Sequence, residues 1–201
     1  MPKLVDHEQR RRQIAEALLR VAAARGLHQV GLREVAAEAG TSVRLIQYYF
    51  GTKEQLLLYA TQHLAVALAE RAKARIAAVG PDAGPRAVIE AILAEALPDD
   101  EDSRVFNVIW TSYLALSLTD PGLDMGPLAR DSNVIIDVIA AQLRRAQDGD
   151  RVPPGLDTGL EATSLVALSA GLGTSVLVGD RDATQAWAVI RYQLDRLLPG
   201  G

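Results

Sequence analysis

Residues 31–57 read GLREVAAEAGTSVRLIQYYFGTKEQLL, and the fold of the chain follows from this stretch. Leu32, Val35 and Ala36 give one short helix an apolar face, and Ile46 and Phe50, four residues apart, give one to a second. Between them Gly40 can take the positive φ that a sharp turn needs, and Ser42 is a good N-cap for the second helix. Two short helices joined this way form a helix-turn-helix, whose second helix enters the major groove of DNA.

Working outward, the preceding helix is expected from Asp6 to about Arg25. Asp6 and Gln9 fit a capping box, Ile14, Leu18 and Val21 share a face, and Gly26 suits the stop. Arg10, Arg11 and Arg12 sit in its early turns, where the helix dipole prefers negative charge. They are either solvated or set against an anionic backbone. On the other side, Thr52 to Gln55 fits a second capping box. It opens a helix that reaches about Val79, ahead of Gly80-Pro81. About 28 residues at about 1.5 Å each make a rod of about 42 Å, long enough to join a head to a separate body.

A chain of 201 residues exceeds what a helix-turn-helix needs, and with 49% apolar residues it can bury a sizeable core. With no cysteine, disulfides and thiolate metal sites are excluded, which fits a reducing cytoplasm. The start, MPKLVDHEQRRRQ, lacks the apolar segment of a signal peptide. Net charge is −4, yet residues 1–55 carry nine Lys/Arg against six Asp/Glu, a net of +3, and the remainder −7. A basic head on an acidic body is the asymmetry expected when one end meets phosphate, although +3 is also within the range of an ordinary surface.

The body reads as further helices without a strand: Gly84 to Leu97, Asp102 or Ser103 to Leu118, and Gly126 to Ala146. After the Pro153-Pro154-Gly155 break come Asp157 to Val178 and Asp182 to Leu198. The expected fold is all-α with nine helices, a DNA-binding domain over 1–51 and a ligand-binding and dimerisation domain over 52–201. The acidic run from Pro98 to Asp102 reads as a solvated loop and helix start, without calcium-loop spacing.

Ala162 to Gly179 carries no charge but is only mildly apolar, with Ser164, Leu168, Gly171 and Ser175 near one face. Ala186, Ile190 and Leu194, continued by Leu197, form a matching face on the last helix. The pair reads either as a subunit interface, two helices from each chain making a four-helix bundle, or as packing within one subunit. Phe106, Trp110, Tyr113 and Leu114 stripe another helix, continued by Ser117, with Asn107 and Thr111 alongside. Aromatic residues are only 4% of the chain, so this concentration reads as a ligand-pocket wall or as ordinary core.

Enzyme readings find no support. His7, His28 and His63 fall in no metal or triad spacing, and no glycine-rich phosphate loop follows a strand. No catalytic residue, metal or cofactor is expected. The helix from Val43 instead carries the donors that DNA reading requires. Arg44 can fork onto guanine O6 and N7, and Gln47 can pair with adenine. Tyr48 and Tyr49 can offer hydroxyls to phosphate, with a half-buried core aromatic as the alternative for Tyr49. Lys53, at a helix start, suits a phosphate lying there.

These residues, with Leu32-Arg33-Glu34-Val35-Ala36, Ala39 to Ser42, the Tyr48/Phe50 pair and Lys53-Glu54 before Leu56-Leu57, resemble the TetR family of bacterial transcriptional regulators. Trp110, the Asp120-Pro121 break, the Gly149-Asp150 turn and Gly171-Leu172 are similar to the branch that includes the choline-responsive repressors. The resemblance implies a homodimer of nine-helix subunits on a palindromic operator, with an unidentified small-molecule effector and no membrane. By the same resemblance Arg33 reaches a base edge, Val43, Arg44 and Leu45 face the groove, Thr41 and Ser42 belong to the DNA-facing set, and Lys53 contacts phosphate. The sequence departs from the family at Gly31, where Ser or Thr usually caps the helix, and at Gln47 and Tyr49. The function expected is a ligand-responsive, cytoplasmic repressor. The alternatives are an activator on the same scaffold, or a helical small-molecule binder without operator binding.

Overall fold

The computed structural model describes residues 2–26, 30–80, 82–118, 126–149, 152 and 155–199. Among these the regular structure is helical: α1 (Pro2–Arg25), α2 (Leu32–Glu38), α3 (Val43–Phe50), α4 (Lys53–Val79), α5 (Pro85–Ala94), α6 (Glu101–Ser117), α7 (Gly126–Asp148), α8 (Thr158–Leu177) and α9 (Ala183–Leu197). His28, Pro81, the Asp120-Pro121 break, Asp150 and Pro153-Pro154 lie outside the described residues.

Two compact units divide the chain. The first comprises Met1–Ala67 with Val108–Asp124, the second Leu68–Asn107 with Met125–Gly201. The division falls inside α4 and α6. The first turns of α4 belong with the head because Leu56, Leu57, Ala60 and Thr61 are at most 1% exposed. The Tyr59 ring meets Phe50 of α3 edge-on at 5.4 Å.

In the first unit, α1 begins at Pro2 and not at Asp6. A proline fits a first helical turn, where its missing N–H costs nothing, so Asp6 lies within the helix and not at its start. Ile14, Ala15, Ala17, Leu18 and Ala22 form its buried face. The turn between α2 and α3 closes as the sequence implies. Gly40 has φ +58°, its N–H donates to Ala37 O at 3.2 Å, and Thr41 N–H donates to Ala36 O at 2.8 Å. That is a Schellman stop, followed at once by the Ser42 cap, whose hydroxyl accepts from Leu45 N–H at 3.2 Å. Thr52 likewise accepts from Gln55 N–H at 3.3 Å and starts α4.

In the second unit, α5, α7, α8 and α9 enclose one apolar core built from Ile89, Leu93, Ile139, Leu143, Leu165 and Ile190 with their neighbours. Asp157 caps α8 by accepting from Gly159 and Leu160 N–H at 3.0 Å each, and Asp182 with Gln185 forms a complete capping box on α9. The helix α5 ends at Ala94, and residues 95–97 tighten into i to i+3 bonds, Ala96 N–H to Leu93 O at 3.1 Å among them. Pro98 explains the early stop, since it disfavours helical geometry in the residue before it. Against this corner α8 brings Gly173: a Cβ there would lie 2.7 Å from the Ala96 carbonyl oxygen and 3.0 Å from Asn107 Oδ1. Glycine is what allows that approach.

By length and composition α8 is apolar enough to cross a bilayer. Its buried stripe of Thr158, Ala162, Leu165, Ser169 and Leu172 is that of a helix packed in a core.

Candidate DNA-binding site

The helix α3 is held from behind and left open in front. Ile46 is 0% and Phe50 7% exposed, whereas Arg44 and Gln47 are exposed and Tyr48 is 72% exposed. A helix so mounted presents long donors outward while its back is fixed by packing. Arg33, on α2, and Ser42 are also exposed; Thr41, Val43, Leu45 and Lys53 are half-buried. Tyr49 is half-buried, its ring edge-on to His7 at 5.5 Å and to Tyr48 at 5.4 Å. Gly31 supplies no cap to α2; the Glu34 carboxylate folds over it and occupies the place a side chain would take.

The three arginines that look alike in sequence are separated by the fold. The guanidinium of Arg11 lies 4.5 Å from the Tyr59 ring centre and 5.1 Å from that of Phe50, a cation–π position inside the head. Arg12 lies 3.9 Å from Glu8, and Arg10 donates to the Gln13 side-chain oxygen at 3.0 Å. Tyr59 donates to Glu8 at 2.5 Å, and burial, then that bond, raises its pKa above the ordinary tyrosine value. Local sequence carries no signal for this cluster, because Glu8 and Tyr59 are 51 residues apart.

In the second unit the late turns of α4 are fastened by charge. Arg71 pairs with Glu95 at 3.2 Å, with Asp100, and with Asp102 at 3.5 Å, while Arg75 meets Glu95 at 2.6 Å. Asp100 also caps α6, accepting from Ser103 N–H at 2.8 Å. The Arg71 bond, with that backbone N–H, holds its carboxyl well below the usual range. Burial pushes Glu95 the other way, against the pull of Arg75 and Arg71. Asp99 to Asp102 are exposed and lead into the start of α6, as the sequence implies; what it did not show is that Asp100 is bound on two sides, by Ser103 N–H and by Arg71.

The stripe on α6 divides. Of its residues in the second unit, Phe106 is half-buried, whereas Asn107 is 7% exposed and donates to Ser103 O at 2.9 Å. Asn107 thereby packs beside Gly173. Of those in the first unit, Tyr113 is 0% and Leu114 37% exposed, Trp110 and Thr111 are half-buried, and Ser117 donates to its own helix at Leu114 O.

The interface face read on α9 is corrected. Ala186, Ile190 and Leu194 are each 0% exposed within the subunit's own core. They cannot meet a second chain, since the same apolar spacing that suits an interface was taken first by the core. The exposed residues of α9 include Ala188, Val189 and Tyr192, with Arg191, Asp195 and Arg196 beside them. On α8, Ser164 and Gly171 do face outward, Leu168 and Ser175 are half-buried, and Leu160, Thr163, Ala167, Ala170 and Thr174 are also exposed.

Comparison with known proteins agrees with this architecture. Residues 14–60 match the family model for bacterial regulatory proteins of the tetR family, and residues 85–199 that for the C-terminal region of BetI-type transcriptional repressors. The chain is 31% identical over 178 residues to the HTH-type transcriptional regulator PksA of Bacillus subtilis, covering 89% of this chain and 83% of that one. It is 28% identical to the regulator BetI of Serratia proteamaculans, covering 86% and 83%. A transcriptional regulator from Saccharomonospora viridis, solved in complex with choline, superimposes with a TM-score of 0.78 at 26% identity, covering 95% and 98%. With the outward α3 and the matches at both ends of the chain, the protein belongs to the tetR family of bacterial regulatory proteins, as a ligand-responsive DNA-binding transcriptional regulator and not an enzyme.

Proposed function

We propose that the protein is a homodimeric repressor that holds a palindromic operator and releases it when its C-terminal part binds a small molecule. The observation that carries this reading is α3, with Arg44, Gln47 and Tyr48 turned outward on a buried back of Ile46 and Phe50. Two such helices, one per subunit, would enter successive major grooves about 34–36 Å apart. The uncharged outward stripe of α8 with Val189 and Tyr192 of α9 supports pairing of two subunits there. A regulator acting on bacterial DNA works in the cytoplasm.

Effector binding need only favour a conformer with mis-spaced heads. A coupling of about 1–3 kcal/mol weakens DNA binding roughly 5- to 150-fold. The α4 helix is the lever in this reading, since its turns contribute to both units. Choline, which the Saccharomonospora viridis relative holds, is the first effector to test.

Selection of a duplex from a random pool, followed by titration, tests the DNA arm. Arg44→Ala should cost about 1–3 kcal/mol on the selected duplex and relax preference at one base pair. An equal loss on selected and scrambled duplexes would make Arg44 a phosphate contact. A parent protein with no affinity for any duplex would favour a ligand-sequestering role.

A further inference from the structure

Between α1 and α3 lies a groove of about 320 Å³ lined by Gln9, Arg10, Gln13 and Tyr49. Its wall holds one guanidinium, two carboxamides and a phenol, and no carboxylate. The acid nearest in sequence, Glu8, is engaged elsewhere, by the Tyr59 hydroxyl at 2.5 Å and beside Arg12 at 3.9 Å. Arg10 donates to the Gln13 oxygen at 3.0 Å, which leaves the Gln13 amide nitrogen and the remaining Arg10 N–H groups as donors. The Tyr49 ring is steadied by edge contacts to His7 and Tyr48, which fixes where its hydroxyl sits. A cation flanked by neutral donors is the composition of an anion site.

The position of the groove says which anion. Tyr49 follows Tyr48, which shares the outward face of α3 with Arg44, one turn back. The groove therefore lies beside the reading face and not on it, where the sugar–phosphate strand bordering a major groove would run. We propose that Arg10, Gln13 and the Tyr49 hydroxyl clamp one DNA backbone phosphate, an assignment that rests on the DNA-binding reading above. It also separates the three N-terminal arginines by role: Arg10 grips phosphate, Arg11 holds the aromatic packing of the head, and Arg12 is balanced by Glu8.

The test uses the full-length protein and a duplex it selects from a random pool, with single phosphates replaced in turn by neutral methylphosphonates. The parent should lose about tenfold in affinity when the clamped phosphate is neutralised. Arg10→Gln should already have lost that factor and lose nothing more from the same replacement. Its slope of log affinity against log salt should be shallower by about 0.9, the value for one phosphate contact, while Arg12→Gln keeps the parent slope. An Arg10→Gln protein with the parent's slope and the parent's methylphosphonate pattern overturns the clamp. If Arg44→Ala still relaxes sequence preference in that case, only the clamp fails. A parent that binds no duplex overturns the DNA-binding reading itself.

Discussion

Arg44 on α3 and Arg71 on α4 carry the same side chain to opposite ends. Among the described residues Arg44 has no carboxylate partner and stands exposed, as do Arg33 on α2 and, half-buried, Lys53. Arg71 is surrounded by Glu95, Asp100 and Asp102, and Arg75, Arg86 and Arg181 in the same unit are likewise paired with acids. Arg44 is open to a partner from outside the chain, and Arg71 is a fastener. Among the described residues exposed Arg104, Arg144 and Arg145 of the second unit also lack a carboxylate, and Arg20 of the head is paired with Glu38 at 2.7 Å. An open cation therefore marks the DNA face only on a helix mounted as α3 is. The whole-chain charge of −4 hides this division. It teaches that for a nucleic-acid binder the informative quantity is which cations stand open on the face of a recognition helix, not the net charge.

If the comparison holds, changes at the body's fixed contacts should act on folding, and changes at the open cations of the head on DNA. The largest effect is expected at Gly173, where a methyl group would press on the Ala96 carbonyl at 2.7 Å. Gly173→Ala should cost about 2–3 kcal/mol of stability, read as a lowered melting temperature; an unchanged melt would mean the α5 corner yields to it. Two residues earlier on the same helix a Cβ meets nothing within 4 Å at Gly171. Gly171→Glu should therefore keep the parent's helical circular dichroism and yet halve the mass measured by light scattering. A dimer of unaltered mass would remove α8 from the proposed interface.

Next in size is a pH effect on the fastener. The Asp100 carboxyl is held below its unfolded value, so its stabilisation is complete above the ordinary carboxylate range and lost as pH falls through the folded value. Glu95, shifted upward by burial, has the opposite sign: its cost is present at neutral pH and relieved on acidification. The deficit of Asp100→Asn should thus be constant between about pH 6 and 8 and shrink below about pH 4. A deficit independent of pH would show that the Arg71 pair contributes no ionic stabilisation. The smallest effect belongs to the head. Lys53→Ala should leave the melt in place and shallow the salt dependence of DNA binding by about 0.9, and an unchanged slope would take Lys53 out of the site.

Helices whose ends are written in local chemistry were legible in advance. Gly40, Ser42, Asp157 and Asp182 act on backbone groups within a few residues, so the turn between α2 and α3 and the starts of α8 and α9 fall where those residues imply. The start of α1 was not legible, because Pro2 and Asp6 are both acceptable starts and no local bond chooses between them. The apolar stripe of α9 was legible as a stripe but not as to what covers it. The same 3.6-residue period serves a subunit's own core and a partner's, and only the packing of α5, α7 and α8 decides which. The aromatic stripe of α6 divided for the same reason.

Sequence by itself determined the all-helical class, the helix-turn-helix and the outward set of Arg44, Gln47 and Tyr48, because capping, turn geometry and helical periodicity act within a few residues. Tertiary structure alone decided which of the clustered arginines packs on aromatic rings, which acids of the 98–102 run are bound, and which face of α9 is left bare. Each of those depends on side chains brought together from far along the chain, Glu8 to Tyr59, Arg71 to Asp100 and Arg86 to Asp195. Local spacing holds no record of such pairings; burial and charge complementarity select them when the helices pack.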